Sequence, residues 1–160
     1  MKKAISALTV LGCLYSGVSF AEEEKTNYSL NIGGWSNHNT GGKQNDFTQI
    51  NPTIGLRIWG KEKFLTGSPY FETDYIYRNS VEGKTLTVGG GIEWTILRSP
   101  QINFCVGVQA FYMKYENRRI GETWDGVLAV PYLCLEKKGY SLNFVRLGAD
   151  IVFAYISIPF

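Results

Sequence analysis

The sequence has little excess charge and no long apolar run beyond its first segment. Lysine and arginine number 16 against 14 aspartates and glutamates. Without Lys2 and Lys3, which precede a leader-like segment, the two signs balance at 14 each. Bulk positive charge for holding nucleic acid is therefore missing. The longest later apolar run, 127–135, contains a proline, so no membrane-spanning helix is predicted.

Histidine and cysteine are also scarce. His38 is the only histidine, and cysteine occurs at 13, 105 and 134. Two separated cysteines and one histidine give no recognisable metal-ligand spacing, so we expect no metal and no cofactor. In an oxidising compartment Cys105 and Cys134 could form a disulfide, because both fall on the same face near one end of neighbouring strands. The alternative is two small buried thiols.

The first 21 residues have the layout of a secretory signal peptide. Lys2 and Lys3 precede an apolar stretch at 4–14, and Ser19 and Ala21 supply the small residues of a cleavage site. We therefore expect Sec export, a signal peptide at 1–21 and one mature domain at 22–160. A second interpretation treats the residues up to Cys13 as a lipoprotein box, although Leu11 fits that box poorly.

From Tyr28 onward, apolar and polar residues alternate with the period of two that is typical of β-strands. Glycine is frequent, with 18 residues, and aromatic residues make up 14% of the chain. The alternation predicts eight strands. They cover 28–33, 53–58, 71–78, 85–96, 102–112, 127–136, 140–146 and 151–160.

One face of these strands is rich in Tyr, Trp, Val and Ile, and the other in Gly, Thr, Asn, Gln and Glu. The second face would make a poor dry core but a suitable polar lumen. We therefore predict an all-β, eight-stranded antiparallel transmembrane β-barrel with both termini periplasmic, in the outer membrane of a Gram-negative cell. In this arrangement Arg57, Glu72, Asp74 and Glu93 would form an ion network in the lumen. A soluble lipocalin-like barrel has the opposite orientation, with its apolar face inside.

The connectors also alternate in length. Polar segments at 37–48 and 114–126 are long, whereas 97–101 and 137–139 are tight, as in barrels with long outer loops and short periplasmic turns. The strand ending at Phe160 has apolar residues at every second position, which resembles the terminal strand of outer-membrane proteins.

Three polar residues fall at the outer rim of the predicted barrel: His38, Asn79 and Ser80. A serine hydroxyl becomes a useful nucleophile or proton donor only beside a base, and imidazole is the base that acts near neutral pH. The alternative is that all three are solvated connector residues without a catalytic role.

Several segments resemble the outer-membrane lipid A palmitoyltransferases. They are Trp35–Trp59 with His38 and Phe47, the run Tyr77-Arg78-Asn79-Ser80, the glycine-rich strand 88–94, and the proline-bearing stretch 127–133. The resemblance implies transfer of an acyl chain from a phospholipid to lipid A or lipopolysaccharide by a monomer. It also implies that wall pairing is broken near Pro131, where lipid would pass sideways.

The resemblance assigns roles to particular residues. His38 would be the base and Ser80 the hydroxyl partner, and Asn79 occupies the place of the family's acidic residue. Small inward residues, Gly89, Gly91 and Gly107, would leave room for the acyl chain. Basic residues would meet lipid phosphates; they are Arg78, Lys84, Lys114, Arg118 and Arg119. The family's N-terminal amphipathic helix has no counterpart in the short segment 22–27.

A second hypothesis keeps the membrane barrel but gives it no enzymatic role. Its surface loops, 117–123 above all, would bind or mask a partner. The third hypothesis is a secreted soluble barrel that carries a small apolar ligand.

Overall fold

The protein is an eight-stranded antiparallel barrel that closes by pairing its first and last strands. A computed structural model describes residues 28–38, 49–147 and 151–160. The predicted signal peptide and the segment 22–27 lie outside these ranges. The strands are β1 Tyr28–His38, β2 Ile50–Trp59, β3 Ser68–Ile76, β4 Thr85–Leu97, β5 Asn103–Asn117, β6 Glu122–Lys137, β7 Tyr140–Leu147 and β8 Ile151–Pro159. All eight predicted strands are confirmed.

Each strand pairs with its neighbours in the chain, so the barrel has an up-and-down topology. Tyr28 and Phe160 stack at one end, with ring centroids 6.1 Å apart. We call this the termini end, and the opposite end, where β1 finishes at His38, the His38 end. Among the described residues no helix is long and apolar enough to cross a lipid bilayer.

The apolar face of the strands points outward. Ile50 and Val127 are 70% and 74% exposed, and Ile54, Phe71 and Val108 are also exposed. Polar groups are buried inside, among them Asn31, Arg57, Glu72, Glu93, Gln109 and Asn143, together with an apolar cluster of Tyr70, Phe111, Val130, Tyr132, Val145 and Tyr155. A soluble barrel keeps its apolar residues inside, whereas here large apolar side chains also cover the outer face.

The connector at 114–126 differs from the prediction. β5 continues to Asn117 and β6 begins at Glu122, which leaves only 118–121 as a turn. Lys114 pairs with Asp125, and Tyr115 pairs with Trp124. The predicted loop is wrong because polar composition does not by itself indicate a loop: cross-strand pairs of opposite charge stabilise a two-stranded ribbon equally well. The segment 39–48 of the other long connector lies outside the described residues.

β1 carries an irregularity that decides which side chains face the interior. Before it, Ser29 and Asn31 are buried; after it, Ser36 and His38 are buried. The register against β2 and β8 shifts at this point, where Gly33 and Gly34 have φ of 84° and 141°. A β-bulge of this kind commonly re-aims a side chain. Strict alternation from Ser29 would have placed His38 on the outer face.

Candidate functional site

The barrel interior is closed at mid-height by a charged layer around Arg57. This side chain is fully buried and forms ion pairs with Glu72 and, at 3.9 Å, with Glu93. Its Nη2 donates a 2.6 Å hydrogen bond to Tyr155, and the guanidinium carbon lies 4.3 Å from the Tyr70 ring centroid. The predicted ion network of Arg57, Glu72 and Glu93 is confirmed.

Asp74 belongs to the same interior but has other partners. Its Oδ1 accepts a 2.8 Å hydrogen bond from Asn31, and its Oδ2 accepts one of 3.4 Å from Thr87. Ser157 in turn donates to Asn31 at 2.7 Å, so these contacts join β1, β3, β4 and β8.

A cavity of about 510 Å³ lies above this layer, at the His38 end. Its size falls within the ~300–1,000 Å³ common for small-molecule sites. Most of its wall is apolar and comes from inward positions near the strand ends: Ile76, Met113, Leu128, Leu147, Ile151 and Phe153. The interior is therefore polar at mid-height and hydrocarbon-like above.

His38, Asn79 and Ser80 all line this cavity and are all buried. The structure thus brings together the three residues predicted as catalytic. The His38 Nε2 atom lies 3.4 Å from Ser36 Oγ, which accepts a 2.7 Å hydrogen bond from Asn51. Ser80 Oγ lies 3.5 Å from the Tyr115 hydroxyl. The His38 imidazole and the Ser80 hydroxyl therefore line the same cavity. Each lies beside a second hydroxyl, that of Ser36 for His38 and that of Tyr115 for Ser80.

Asn79 has a structural task that the sequence did not reveal. Its Oδ1 accepts hydrogen bonds from the amides of Val81 and Gly83, at 3.1 and 2.9 Å. Its Nδ2 donates to the carbonyl of Glu116 at 2.8 Å and to Thr85 Oγ1 at 3.0 Å. The side chain thereby ties the connector at 77–84 to β5, and both of its polar atoms are used for this purpose.

The glycine pocket needs a correction. A Cβ on Gly107 would clash with the Tyr132 ring, and one on Gly91 would lie 2.6 Å from the Tyr70 hydroxyl. Gly89 lies against Phe111, beside a second cavity of about 70 Å³. The missing side chains at Gly91 and Gly107 make room for these tyrosine rings, whereas Gly89 lines the small second cavity. Gly89, Gly91 and Gly107 therefore lie outside the wall of the large cavity, which is built by residues nearer the rim.

Four basic residues predicted to meet phosphate lie at the His38 end. Arg78 and Lys84 belong to the connector at 77–84, and Arg118 and Arg119 to the turn at 118–121. The Glu116 amide, near the end of β5 that leads into this turn, donates a 2.9 Å hydrogen bond to the Lys84 carbonyl. Arg78 pairs with Glu82 at 3.3 Å, where both side chains are about half exposed (52% and 50%).

The barrel wall is incompletely paired beside the cavity. β6 and β7 pair only from Tyr132↔Val145 to Lys137↔Tyr140. Among the described residues, the part of β6 at 122–131 pairs with β5 alone, and the stretch without a β7 partner begins at Pro131, which has no backbone N–H. Leu128 and Leu147 flank this stretch, and both line the cavity.

The sequence contained a signal for the cavity that alternation alone does not capture. Met113, Leu128, Leu147 and Phe153 occupy inward positions of their strands and pack against the buried apolar cluster below them. Apolar residues at inward positions near one end of several strands indicate an apolar chamber at that end. Ser36, Asn51 and Tyr115 were missed because their roles depend on contacts between strands.

Cys105 and Cys134 are free thiols in the structure. They are direct partners in the β5–β6 register, and both are fully buried. The same-face placement expected for a disulfide is therefore present, without the bond.

No protein-family model matches this chain, and no curated protein is significantly similar to it.

Proposed function

We propose that this protein is an outer-membrane barrel that transfers an acyl chain from a phospholipid to lipid A or lipopolysaccharide at the His38 end. The observation that carries the proposal is the apolar cavity of about 510 Å³, with His38 and Ser80 in its wall and an unpaired stretch of barrel wall beside it. A hydrocarbon chain could lie inside while its ester reaches the polar groups.

Membrane placement is supported by the exposed apolar belt. Ile50, Ile54, Val108, Val127 and Ile156 point away from the barrel on several different strands. Exposed aromatic residues occur near both ends, as in the girdles of transmembrane barrels; they include Tyr28, Phe160 and Tyr140 at the termini end and Trp35 and Tyr77 toward the His38 end. In hydrocarbon the closed sheet also satisfies the backbone groups that an open edge would leave unpaired. Both termini would then be periplasmic and the His38 end extracellular.

The chemistry is an ester exchange and needs no redox cofactor. His38 accepts the proton of an acceptor hydroxyl, whose oxygen attacks the phospholipid ester carbonyl. The ester C–O bond then breaks, a new ester forms on the acceptor, and the proton passes to the departing lysophospholipid oxygen. Ser80, supported by Tyr115, donates a hydrogen bond to the carbonyl oxygen as negative charge develops there.

The basic residues at the rim would attract the acceptor. Arg118 and Arg119 are exposed on the turn at 118–121, beside Arg78 and Lys84 on the neighbouring connector. Guanidinium groups hold phosphate through charge-assisted hydrogen bonds. The lipid A phosphates would therefore dock above the cavity mouth and bring an acceptor hydroxyl toward His38.

Mass spectrometry of lipid A from cells that express the protein tests the proposal. We expect a gain of one acyl mass, lowered about 100-fold or more in H38A and strongly reduced in S80A. Ser99→Ala is the matched control, since Ser99 caps a turn at the termini end through a 2.7 Å hydrogen bond to Ile102. Folding is checked by heat-modifiable gel migration of the outer-membrane fraction. No mass gain from folded protein, or a gain unchanged in both H38A and S80A, would contradict acyl transfer.

The non-enzymatic hypothesis predicts a different outcome from the same cells. Replacing 117–123 by a short neutral turn would abolish partner binding, while H38A would leave partner binding intact. The cavity favours the enzymatic proposal, because a protein that acts only through its surface loops has no need of an apolar chamber behind them.

A further inference from the structure

A second cluster of chemically active side chains lies below the Arg57 layer, toward the termini end. It consists of two thiols and two carboxylates on three adjacent strands: Glu93 on β4, Cys105 on β5, and Cys134 and Glu136 on β6. All four side chains are buried. The ligand atoms of Glu93, Cys105 and Cys134 all lie within 4.8 Å of one another.

The strand register explains how the four residues meet. Cys105 and Cys134 are direct cross-strand partners, and Cys105 also pairs with Thr95 on β4. Glu93 is one inward position from Thr95 toward mid-barrel, and Glu136 is one inward position from Cys134 toward the termini end. Successive inward positions are about 6.6 Å apart along a strand. The two carboxylates therefore lie on opposite axial sides of the thiol pair.

Three ligand atoms of the cluster already lie close enough together to share one ion, and they belong to Glu93, Cys105 and Cys134. The Cys134 thiol donates a hydrogen bond to Glu93 Oε2 over 3.3 Å, and Cys105 Sγ lies 3.9 Å from Glu136 Oε2. Glu136 would complete a tetrahedral set of two sulfur and two oxygen ligands once its side chain moves toward the thiols.

Glu93 is also oriented by groups behind it. Tyr132 donates a 2.9 Å hydrogen bond to Glu93 Oε2, and Arg57 Nη1 lies 3.9 Å from the same oxygen. Partners of this kind fix the orientation of a ligating carboxylate and tune its affinity for metal. Glu136 lies two residues beyond Cys134, toward the termini end of the barrel.

We infer that Glu93, Cys105, Cys134 and Glu136 form a binding site for one thiophilic divalent cation such as Zn²⁺. On binding, each of the two thiols loses its proton to solvent and forms a metal–sulfur bond, so one M²⁺ enters and two H⁺ leave. Thiolate ligands select Zn²⁺ or Cd²⁺ over Mg²⁺ and Ca²⁺. The site is separate from the large cavity and does not depend on acyl transfer.

Cobalt absorption spectroscopy on the full chain tests this inference. The protein is refolded in detergent without a histidine tag, carries C13S so that only two cysteines remain, and is kept reduced. Titration with Co²⁺ should give a sulfur-to-cobalt charge-transfer band that saturates at one ion per chain, and Zn²⁺ should abolish the band. H38A, which removes the only histidine, should leave the band unchanged.

Variants of the ligands complete the test. C105S and C134S should each remove most of the charge-transfer intensity, and E93Q should weaken Zn²⁺ binding about 10–100-fold. Glu82→Gln, an exposed change at the other end, is the matched control. Absence of the band in folded C13S protein would overturn the inference whatever the variants do. So would a Cys105–Cys134 disulfide in protein isolated from cells, found by mass spectrometry without reductant.

Discussion

The Asn79 side-chain amide donates a 2.8 Å hydrogen bond to the backbone carbonyl of Glu116 and thereby joins the connector at 77–84 to β5. The same nitrogen also reaches the Lys84 carbonyl at 3.3 Å. A carboxylate here would turn a negative oxygen toward two carbonyl oxygens. The asparagine is therefore required by its surroundings, although the resemblance to acyltransferases places an acid at this position.

Asn79→Asp should accordingly destabilise the rim and should fail to increase acyl transfer. We expect a loss of about 1–3 kcal/mol, because buried acceptors lose their donor and face a like partner. Urea unfolding in lipid vesicles, followed by tryptophan fluorescence, measures the loss. Asn117→Asp is the control, since it keeps an acceptor for the Arg119 amide. A more active and equally stable N79D would show that the acid is tolerated and the amide dispensable.

Gly34→Ala tests the bulge that turns His38 inward. A Cβ on Gly34 would collide with the backbone carbonyl of Asn51, and its φ of 141° is strained for other residues. We expect a destabilisation of about 1–3 kcal/mol and a loss of His38-dependent activity. Gly121→Ala is the matched control, because Gly121 also has positive φ, 71°, but a Cβ there would meet no atom within 4 Å. If Gly34→Ala and Gly121→Ala destabilise the protein equally, the close approach of Gly34 to the Asn51 carbonyl is not the cause.

Closing the wall between β6 and β7 should block the cavity. Pro131 and Arg146 would be partners if pairing continued beyond Tyr132↔Val145. In a cysteine-free background, oxidised P131C/R146C should take up an acyl-chain probe several-fold more slowly than the reduced form. The pair L133C/F144C, at positions already paired in the sheet, should show no such difference. If oxidised and reduced P131C/R146C take up the probe equally fast, the acyl chain enters the cavity by another route.

Arg57→Met tests the charged layer beneath the cavity. Removing the guanidinium leaves Glu72 and Glu93 buried without their cation, at a cost of about 3–5 kcal/mol. The triple variant R57M/E72Q/E93Q should recover much of that loss, because no uncompensated charge remains. Arg78→Met, whose partner Glu82 is exposed, should cost at most about 1 kcal/mol. The midpoints of urea unfolding of R57M, of the triple variant and of R78M, each compared with the wild type, test these expectations.

Alternation along the chain predicted the eight strands, because a period of two follows directly from strand geometry. The outward direction of the apolar face was predicted by the composition of the two faces, because Gly, Thr, Asn, Gln and Glu make a poor dry core. The inward positions of Arg57, Glu72 and Glu93 predicted their ion network, since charges in a narrow bore must pair. Alternation could not predict the inward direction of His38, which depends on a bulge at Gly33–Gly34 that reverses the parity of β1. Nor could it show that Gly91 and Gly107 lie against tyrosine rings, because this depends on the strand register, which makes Tyr70 and Tyr132 their direct cross-strand partners.

The Arg57 layer has a consequence for transport. Guanidinium, carboxylate and tyrosine groups are buried in the bore at mid-height, and we expect them to block the passage of small solutes from one rim to the other. In a membrane the barrel would therefore not act as a pore. Cells that make it in large amounts should be as resistant to bulky antibiotics and detergents as cells without it.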